Sequence, residues 1–343
     1  MAFDVILDGD NKQRINLSNF ALNIIYDDML AFGNKQFTNF INTVISNFKY
    51  ESDASISFAL EKEKQKLEDI FESFDKHQKD KIIEKLLDYK KQELTEKFSS
   101  YEKFKSCPVR LWKETVEYLT DSFSDCKEER YYKGKIGNYL KAIIEDYASK
   151  SFRERELIYF FDRVKTINTA IKEKRGLALK TSGGTFFFIY PYKIVSDQML
   201  MYNYLIGYSQ KEDEDIKRPI TLRISRLSDI KLRGTNKSLK DEEIAALEDS
   251  ANKKGVQFLG SEERDVVVKL TENGKRRYIN QLHLRPECIE IRNGDEYVFR
   301  CTPAQAEFYF VKFGKDALIK EPLSLRDRML QIYKDACDMY ESL

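Results

Sequence analysis

The chain has 343 residues, 42% of them hydrophobic, which is enough for more than one domain with its own core. Its 58 Lys and Arg against 57 Asp and Glu leave a net charge of +1, excluding a uniformly basic nucleic-acid binder, so any cationic surface must be local and balanced elsewhere. The cysteines Cys107, Cys126, Cys288, Cys301 and Cys337 are odd in number and form no CxxC pair, which argues against a disulfide framework and a zinc site and predicts free thiols in a reducing cytoplasm.

Met1-Ala2-Phe3-Asp4 places no basic region before an apolar core, so no signal peptide is expected, and no apolar run approaches membrane-spanning length. Ile15 and Leu17 alternate with Arg14 and Asn16, predicting a short strand with one apolar face. A helix follows with Phe20, Ile24, Ile25, Met29 and Leu30 as its stripe, broken at Gly33-Asn34. A second helix carries Phe37, Phe40, Ile41, Val44, Ile45 and Phe48. The same order returns later: Val109 and Leu111 flank Arg110 in a strand, Val116, Leu119 and Phe123 mark a helix, and a polar loop ends near Gly134. Ile136 to Tyr147 then matches Phe37 to Phe48 at every apolar position, with Asn138 falling on Asn39, as in a diverged internal repeat.

Both segments, Lys12 to Phe48 and Cys107 to Tyr147, resemble the ribbon-helix-helix family of DNA-binding repressors. For the second, whose strand contains Pro108, a plain amphipathic helical hairpin is an equal alternative. One such unit has too little core alone and pairs with another through an antiparallel ribbon whose outward side chains enter the major groove. Alternation points Ile15, Leu17, Val109 and Leu111 inward and Arg14, Asn16 and Arg110 outward. Arg and Asn make bidentate contacts to base edges, although a merely solvated strand face favours such residues too.

Between the copies, Ser57 to Ser106 is rich in Lys and Glu, with stripes at Leu67, Ile70, Phe71 and Phe74 and at Ile82, Ile83, Leu86 and Leu87. These are helices packing on each other or on a partner chain, and the charges read as a solvated face. His77 lies in this charged stretch and is expected to be solvated. A long helix is predicted from about Phe152 to Lys174.

From Leu177 the period becomes that of strands: Leu177 and Leu179, a hairpin turn at Ser182-Gly183-Gly184-Thr185, Phe186 to Tyr190 ended by Pro191, Met199 to Tyr208, Ile220 to Ile224 and Leu227 to Leu232. Consecutive short strands suggest a small barrel. Tyr190-Pro191, Asn203-Tyr204-Leu205-Ile206-Gly207-Tyr208 and Arg223-Ile224-Ser225-Arg226-Leu227 together resemble the WYL-domain family, with Asn203 in place of its tryptophan and Ser225 in place of its usual acid. The resemblance implies an Sm-like β-barrel with a basic pocket for nucleic acid or a charged effector, formed here by Tyr204, Arg223, Arg226 and Ser196. Arg223 and Arg226 have odd spacing and converge only if the strand bends between them. Two arginines and a phenol suit a phosphate; the alternative is a surface arginine and a structural ion pair. Tyr190, Tyr192, Tyr202 and Tyr208 are available for stacking or for filling the barrel.

The last segment reads as strand Val266 to Leu270, helix near Asn273 to Leu282, a hairpin of Cys288 to Ile291 and Tyr297 to Cys301 across Asn293-Gly294, a helix capped by Thr302-Pro303-Ala304-Gln305 and ended at Gly314, strand Ala317 to Ile319 and helix Leu323 to Tyr340. That order is a ferredoxin-like unit. Phe313-Gly314-Lys315-Asp316 and Glu321-Pro322 also resemble the extension that follows WYL domains. His283, after Leu282 near a strand boundary, is expected to pack. Neither histidine has a companion nucleophile or ligand, so no catalytic residue, metal or cofactor is expected.

The fold class expected is α+β: a ribbon-helix-helix element over 1–50, a helical arm over 51–106, a second ribbon-helix-helix-like element over 107–150, a linker helix over 151–176, the WYL domain over 177–235 and its extension over 236–343. Such a chain resembles the accessory proteins of type VI-D CRISPR systems, which implies a cytoplasmic, non-enzymatic protein of antiviral defence that binds single-stranded RNA and enhances an RNA-guided RNA nuclease. The alternative is a ligand-sensing transcriptional regulator that binds duplex DNA through Arg14, Asn16 and Arg110. Both carry a homodimer and no membrane; a pure protein-interaction scaffold is the third reading.

Overall fold

Alternation in Lys12-Gln13-Arg14-Ile15-Asn16-Leu17 becomes strand β1 (Lys12–Leu17) in a computed structural model of the chain, with Ile15 and Leu17 buried and Lys12, Arg14 and Asn16 exposed. The structure describes residues 11–101, 104–125, 128–197, 201–210, 216–235 and 239–342, with backbone alone at 120–125 and 235. Met1 to Asp4, the side chain of Phe123, Cys126 and Met199 therefore lie outside the described residues. The chain divides into two compact units, residues 1–162 and 163–343.

In the first unit, Ser18 caps α1 (Asn19–Phe32) by accepting from the Ala21 N–H, and Gly33, in the left-handed region that glycine adopts without penalty, ends it. Then come α2 (Phe37–Phe48), the arm helices α3 (Ile56–Ile70) and α4 (Lys76–Ser99), and β2 (Lys105–Arg110). After these follow α5 (Lys113–Asp125), α6 (Ile136–Ser149) and α7 (Phe152–Tyr159). β1 pairs antiparallel with β2, Arg14 opposite Pro108 and Asn16 opposite Ser106, so the ribbon closes within one chain. The repeat is real in packing terms: Phe40 and Tyr139, Ile41 and Leu140, Val44 and Ile143, Ile45 and Ile144, and Phe48 and Tyr147 are all buried. Each second helix is tied to the opposite strand's junction. Asn42 on α2 donates to the Arg110 carbonyl at 2.8 Å and accepts from the Trp112 N–H at 2.9 Å; Glu145 on α6 accepts from the Ser18 N–H and hydroxyl, both at 2.7 Å. Gly137 crosses β1 so closely that a Cβ would lie 2.9 Å from the Arg14 carbonyl oxygen.

The single helix expected from Phe152 to Lys174 is broken at Phe160, where an aromatic cluster claims the chain: α7 ends at Tyr159 and α8 runs Phe161–Lys172. Tyr159 stacks on Phe40 at 4.8 Å and on Phe32 at 5.1 Å, and Asn47 donates to the Ile158 and Tyr159 carbonyls that the break releases.

The second unit begins with β3 (Arg175–Thr181), β4 (Phe186–Ser196), β5 (Asn203–Gln210), β6 (Lys217–Arg223) and β7 (Leu227–Thr235). They form one antiparallel sheet in the order β6-β5-β4-β3-β7. Pro191 does not end its strand; β4 continues past it with a register shift between Pro191 and Lys193, since a bulge accommodates the missing N–H. In a flat sheet the outer strands would stand about 19 Å apart. Only a 3-10 turn, Ile224–Arg226, joins β6 to β7, and it spans at most about 14 Å. The sheet must curl, so the expected barrel exists as a curled sheet whose edge strands are joined through the chain, with no β6–β7 ladder among the described residues.

An unexpected helix, α9 (Asp241–Lys254), follows, with acids in its first turn and Lys253-Lys254 in its last, the polarity that a helix dipole favours. β8 (Arg264–Leu270), α10 (Glu272–Asn280), β9 (Glu287–Arg292), β10 (Glu296–Cys301), α11 (Pro303–Phe310), β11 (Ala317–Glu321) and α12 (Leu323–Glu341) complete the unit. The sheet order β11-β8-β10-β9 is ferredoxin-like. Thr302 caps α11, but Gln305 does not close the box: its amide reaches the Leu284 carbonyl instead. His77 is exposed as expected; His283, expected to pack, is exposed as well. Among the described residues no helix is long and apolar enough to cross a membrane, and the four described cysteines are free.

The arm is rooted in the first unit by buried polar groups. Asp146 accepts from the Ser52 hydroxyl at 2.8 Å and pairs with Lys97 of α4 at 3.0 Å. Glu128 is fully buried and accepts from the Ser57 N–H at 2.8 Å, at the start of α3, while its second oxygen has no partner among the described residues. Burial raises its carboxyl from the ordinary 4.5 to about 7, against the opposing hydrogen bonds from the first turn of α3. The folded chain thus holds this proton more tightly than the unfolded chain. The stability it contributes is complete below about pH 4.5 and is lost as pH rises through about 7, about 3 kcal/mol in all. Urea unfolding at pH 5 and pH 8 should show Glu128→Gln missing most of that share of the wild-type pH dependence.

Candidate nucleic-acid interfaces

In the first unit the ribbon presents Lys12, Arg14 and Asn16 from β1 and Ser106, Pro108 and Arg110 from β2, all exposed, on the face opposite buried Ile15, Leu17, Cys107 and Val109. Arg14, Asn16 and Arg110 therefore share one outward face. Lys12 stands opposite Arg110, so two cations close one end of it. Pro108 is tolerated because a two-stranded ribbon leaves each strand a free edge.

In the second unit Tyr204 of β5 and Arg223 of β6 are direct cross-strand partners, which puts both side chains on one side of the sheet. The guanidinium carbon of Arg223 lies 3.0 Å from the centre of the Tyr202 ring, and its Nε donates to the Ser225 hydroxyl at 2.7 Å. The serine that replaces the expected acid thus orients the arginine without neutralising it. Strand alternation ends at Arg223: the 3-10 turn Ile224–Arg226 supplies the bend that the odd spacing requires, and Arg226 emerges exposed at its end. No carboxylate pairs with Arg223 or Arg226 among the described residues. The turn is held from two sides: Arg163 of α8 donates to the Ile224 and Ser225 carbonyls, each at 3.3 Å, and the Ser182 N–H donates to the Arg226 carbonyl at 2.7 Å.

Ser196 does not join this group. It pairs with Asn203, and its hydroxyl donates to the Asn203 side-chain oxygen at 2.7 Å, while the next pair along the ladder is Val195 with Tyr204. One step along a strand changes face, so Ser196 and Asn203 point to the side opposite Tyr204 and Arg223. Of the expected pocket, the structure brings together Tyr204 and Arg223 and adds Tyr202, while Arg226 is exposed at the end of the turn. Arg163 carries no sequence signal of its role, since it is one cation among many on an amphipathic helix. Of the other tyrosines, Tyr192 donates to Glu248 at 2.7 Å and Tyr208 to the Glu243 carbonyl at 3.2 Å, so α9 covers that part of the sheet. Among the described residues no group of three or more His, Cys, Asp or Glu is placed to hold a metal ion.

The fold and these surfaces define an α+β protein: a single-chain ribbon-helix-helix with a helical arm, a curled five-stranded sheet bearing an arginine–tyrosine group, and a ferredoxin-like unit. Over 96% of this chain and 94% of the other, it is similar to a solved structure described as the crystal structure of a CRISPR Cas-related protein, with a TM-score of 0.71 and 26% identity. Nearly end to end, then, the chain has the fold of a CRISPR Cas-related protein. The proteasome accessory factor B/C (PafBC) of Arthrobacter aurescens matches 65% of this chain and 35% of its own at a TM-score of 0.30 and 18% identity, too distant to bear on either fold or function. No protein-family model and no curated protein matches the sequence.

Gly207 lets β5 pass close against β4 at Pro191. A Cβ there would lie 2.2 Å from the Tyr190 carbonyl oxygen and 3.1 Å from the Pro191 Cα, both backbone atoms. Gly207→Ala should destabilise the chain by about 1–3 kcal/mol or more in urea unfolding. Gly183→Ala, where the nearest atom is 3.8 Å away, should stay within about 0.5 kcal/mol of wild type.

Proposed function

We propose that this chain is a non-catalytic accessory protein of a CRISPR system that binds single-stranded RNA and enhances an RNA-guided RNA nuclease. The observation that carries the reading is the likeness to a CRISPR Cas-related protein along 96% of the chain. The curled sheet is read as a WYL domain, with Tyr204, Arg223 and Arg226 receiving one anionic or planar group of the strand. Arg223 stacked on Tyr202 offers a cation and a ring together, and unpaired bases can reach such a site where paired ones cannot. The reading places the protein in the cytoplasm as a homodimer, supported by the arm's exposed Ile70, Phe74, Ile82, Leu86 and Tyr89.

The second reading, a regulator that binds duplex DNA and senses a ligand, is favoured by one observation: Arg14, Asn16 and Arg110 share the outward face of a ribbon.

Binding of single-stranded RNA and of duplex DNA, measured at matched near-physiological salt, separates the two. The first reading expects tight RNA binding weakened roughly 10- to 100-fold by Arg226→Ala and unchanged by Arg14→Ala. Sequence-specific duplex binding lost in Arg14→Ala, with no RNA binding, would replace it with the second. Faster target cleavage when the chain is added to an RNA-guided RNA nuclease checks the partner directly. Light scattering checks the assembly: Leu86→Glu with Tyr89→Glu should halve the mass of the homodimer.

A further inference from the structure

β4 opens with Phe186-Phe187-Phe188-Ile189-Tyr190. Its register with β3 assigns the faces: Phe187 opposes Leu179 and Ile189 opposes Leu177, with Leu177, Leu179 and Ile189 buried in the core. Phe186, opposite Lys180, and Phe188, opposite Ala178, therefore point outward, and Tyr190 follows in the same alternation. Phe186 is 71% exposed, an apolar ring that folding leaves in water.

Each of these rings has a cation over it, and each cation comes from a different strand. The Lys180 ammonium lies 5.1 Å from the centre of Phe186, the Arg233 guanidinium carbon 5.5 Å from Phe188, and the Lys217 ammonium 5.1 Å from Tyr190. Lys217 is shared with Glu243 of α9 at 2.9 Å, so the covered end of the row is anchored and the Phe186 end is open. Between Phe188 and Tyr190 lies a notch of about 220 Å³, bounded by Arg233 and by Gly176 and Gly234, which lack side chains that would fill it. It is smaller than the roughly 300–1,000 Å³ of small-molecule sites and suits one ring system.

We propose that this row is a second RNA contact, a stacking platform on which unpaired bases of single-stranded RNA lie against Phe186 and Phe188 while Lys180 and Arg233 meet the adjoining phosphates. The inference rests on the reading of the chain as a single-stranded-RNA binder and extends it to residues outside the Tyr204–Arg223 group. Tyr204 of that group pairs with Val195, near the end of β4 remote from Phe186. Alternate residues of a strand stand about 6.6 Å apart. That is twice the ~3.4 Å rise of stacked nucleotides, so the rings match bases splayed from an unpaired strand and not bases held in a duplex. Stacking on aromatic rings is sequence-tolerant, because every base has a π-face, and the cations add a salt-dependent component.

The test uses the full chain and a fluorescent single-stranded RNA of mixed sequence. Phe186→Ala and Phe188→Ala should each weaken binding roughly 5- to 100-fold. Phe186→Trp should restore it and Phe186→Leu should not, because the ring face is what the base meets. Arg233→Ala should lower the slope of log affinity against log salt by about 0.7. Phe186 is exposed, so its variants should melt with the wild type, and any reading from Phe188→Ala is taken only at matched unfolding midpoints. If the wild type binds RNA and the Phe186 and Arg233 variants bind as well as it does, the platform is overturned and the RNA-binding reading stands. If the wild type binds no RNA, both fall. Binding retained in Phe186→Leu would show that the ring face is not what the RNA meets, and binding lost together with a change in mass by light scattering would mark an apolar protein contact; either overturns the platform.

Discussion

The pairing of β1 with β2 is the constraint on which the first unit depends. Neither strand can be satisfied alone: each buries one face and needs a neighbour for its backbone groups. Because the partner lies in the same chain, residues 12–17 must be brought against residues 105–110, and everything between has to leave and return. The helices α1 to α4 are that excursion; Asp146 holds the arm at both ends through Ser52 and Lys97, while Glu145 at Ser18 and Asn42 at the Arg110 carbonyl fasten the strand junctions. The close passage of Gly137 over the Arg14 carbonyl shows how little space separates the second helix from the ribbon. The ribbon's outward face is a by-product of the same alternation: once Ile15, Leu17, Cys107 and Val109 turn in, Arg14, Asn16 and Arg110 can only turn out.

Much of this was legible in residue order because it depends on short-range period. The matched apolar positions of 37–48 and 136–147 are helix faces, and helix faces survive divergence as long as each side chain stays apolar. Hairpins marked by glycine were equally plain: Asn293 and Gly294 both adopt positive φ at the β9–β10 turn, the requirement that Asn-Gly meets. What failed to show depends on register and on distant partners. Ser196 sits near Tyr204 in any list of neighbours, yet one step of strand parity sends it to the other face. Pro191 reads as a stop but occupies a bulge. The break at Phe160 comes from aromatic packing that no local pattern announces, and His283 has a boundary position without the burial that usually goes with it.

The near-zero net charge acquires a structural meaning in the second unit. α9 places Glu243 beside Lys217 and Glu248 beside Lys193, neutralising cations over one part of the curled sheet. Arg223, Arg226, Lys180 and Arg233 have no such carboxylates among the described residues. A balanced chain can therefore hold a locally cationic surface without a basic composition. The serine at 225 belongs to the same economy of charge: an acid there would hold Arg223 equally well and cancel its field, whereas a hydroxyl holds it and leaves the field intact.

The single-chain ribbon also changes the symmetry of whatever meets it. A ribbon made by two identical chains has a twofold axis and presents the same three side chains twice. Here one half offers Lys12, Arg14 and Asn16 and the other Ser106, Pro108 and Arg110, so the two ends differ in charge and in shape. Such an element has a polarity. A partner laid across it in one direction meets different chemistry from the same partner reversed, and no palindrome is called for. Its assembly is likewise indifferent to dilution, because the tether between the halves keeps their effective concentration fixed however scarce the protein becomes.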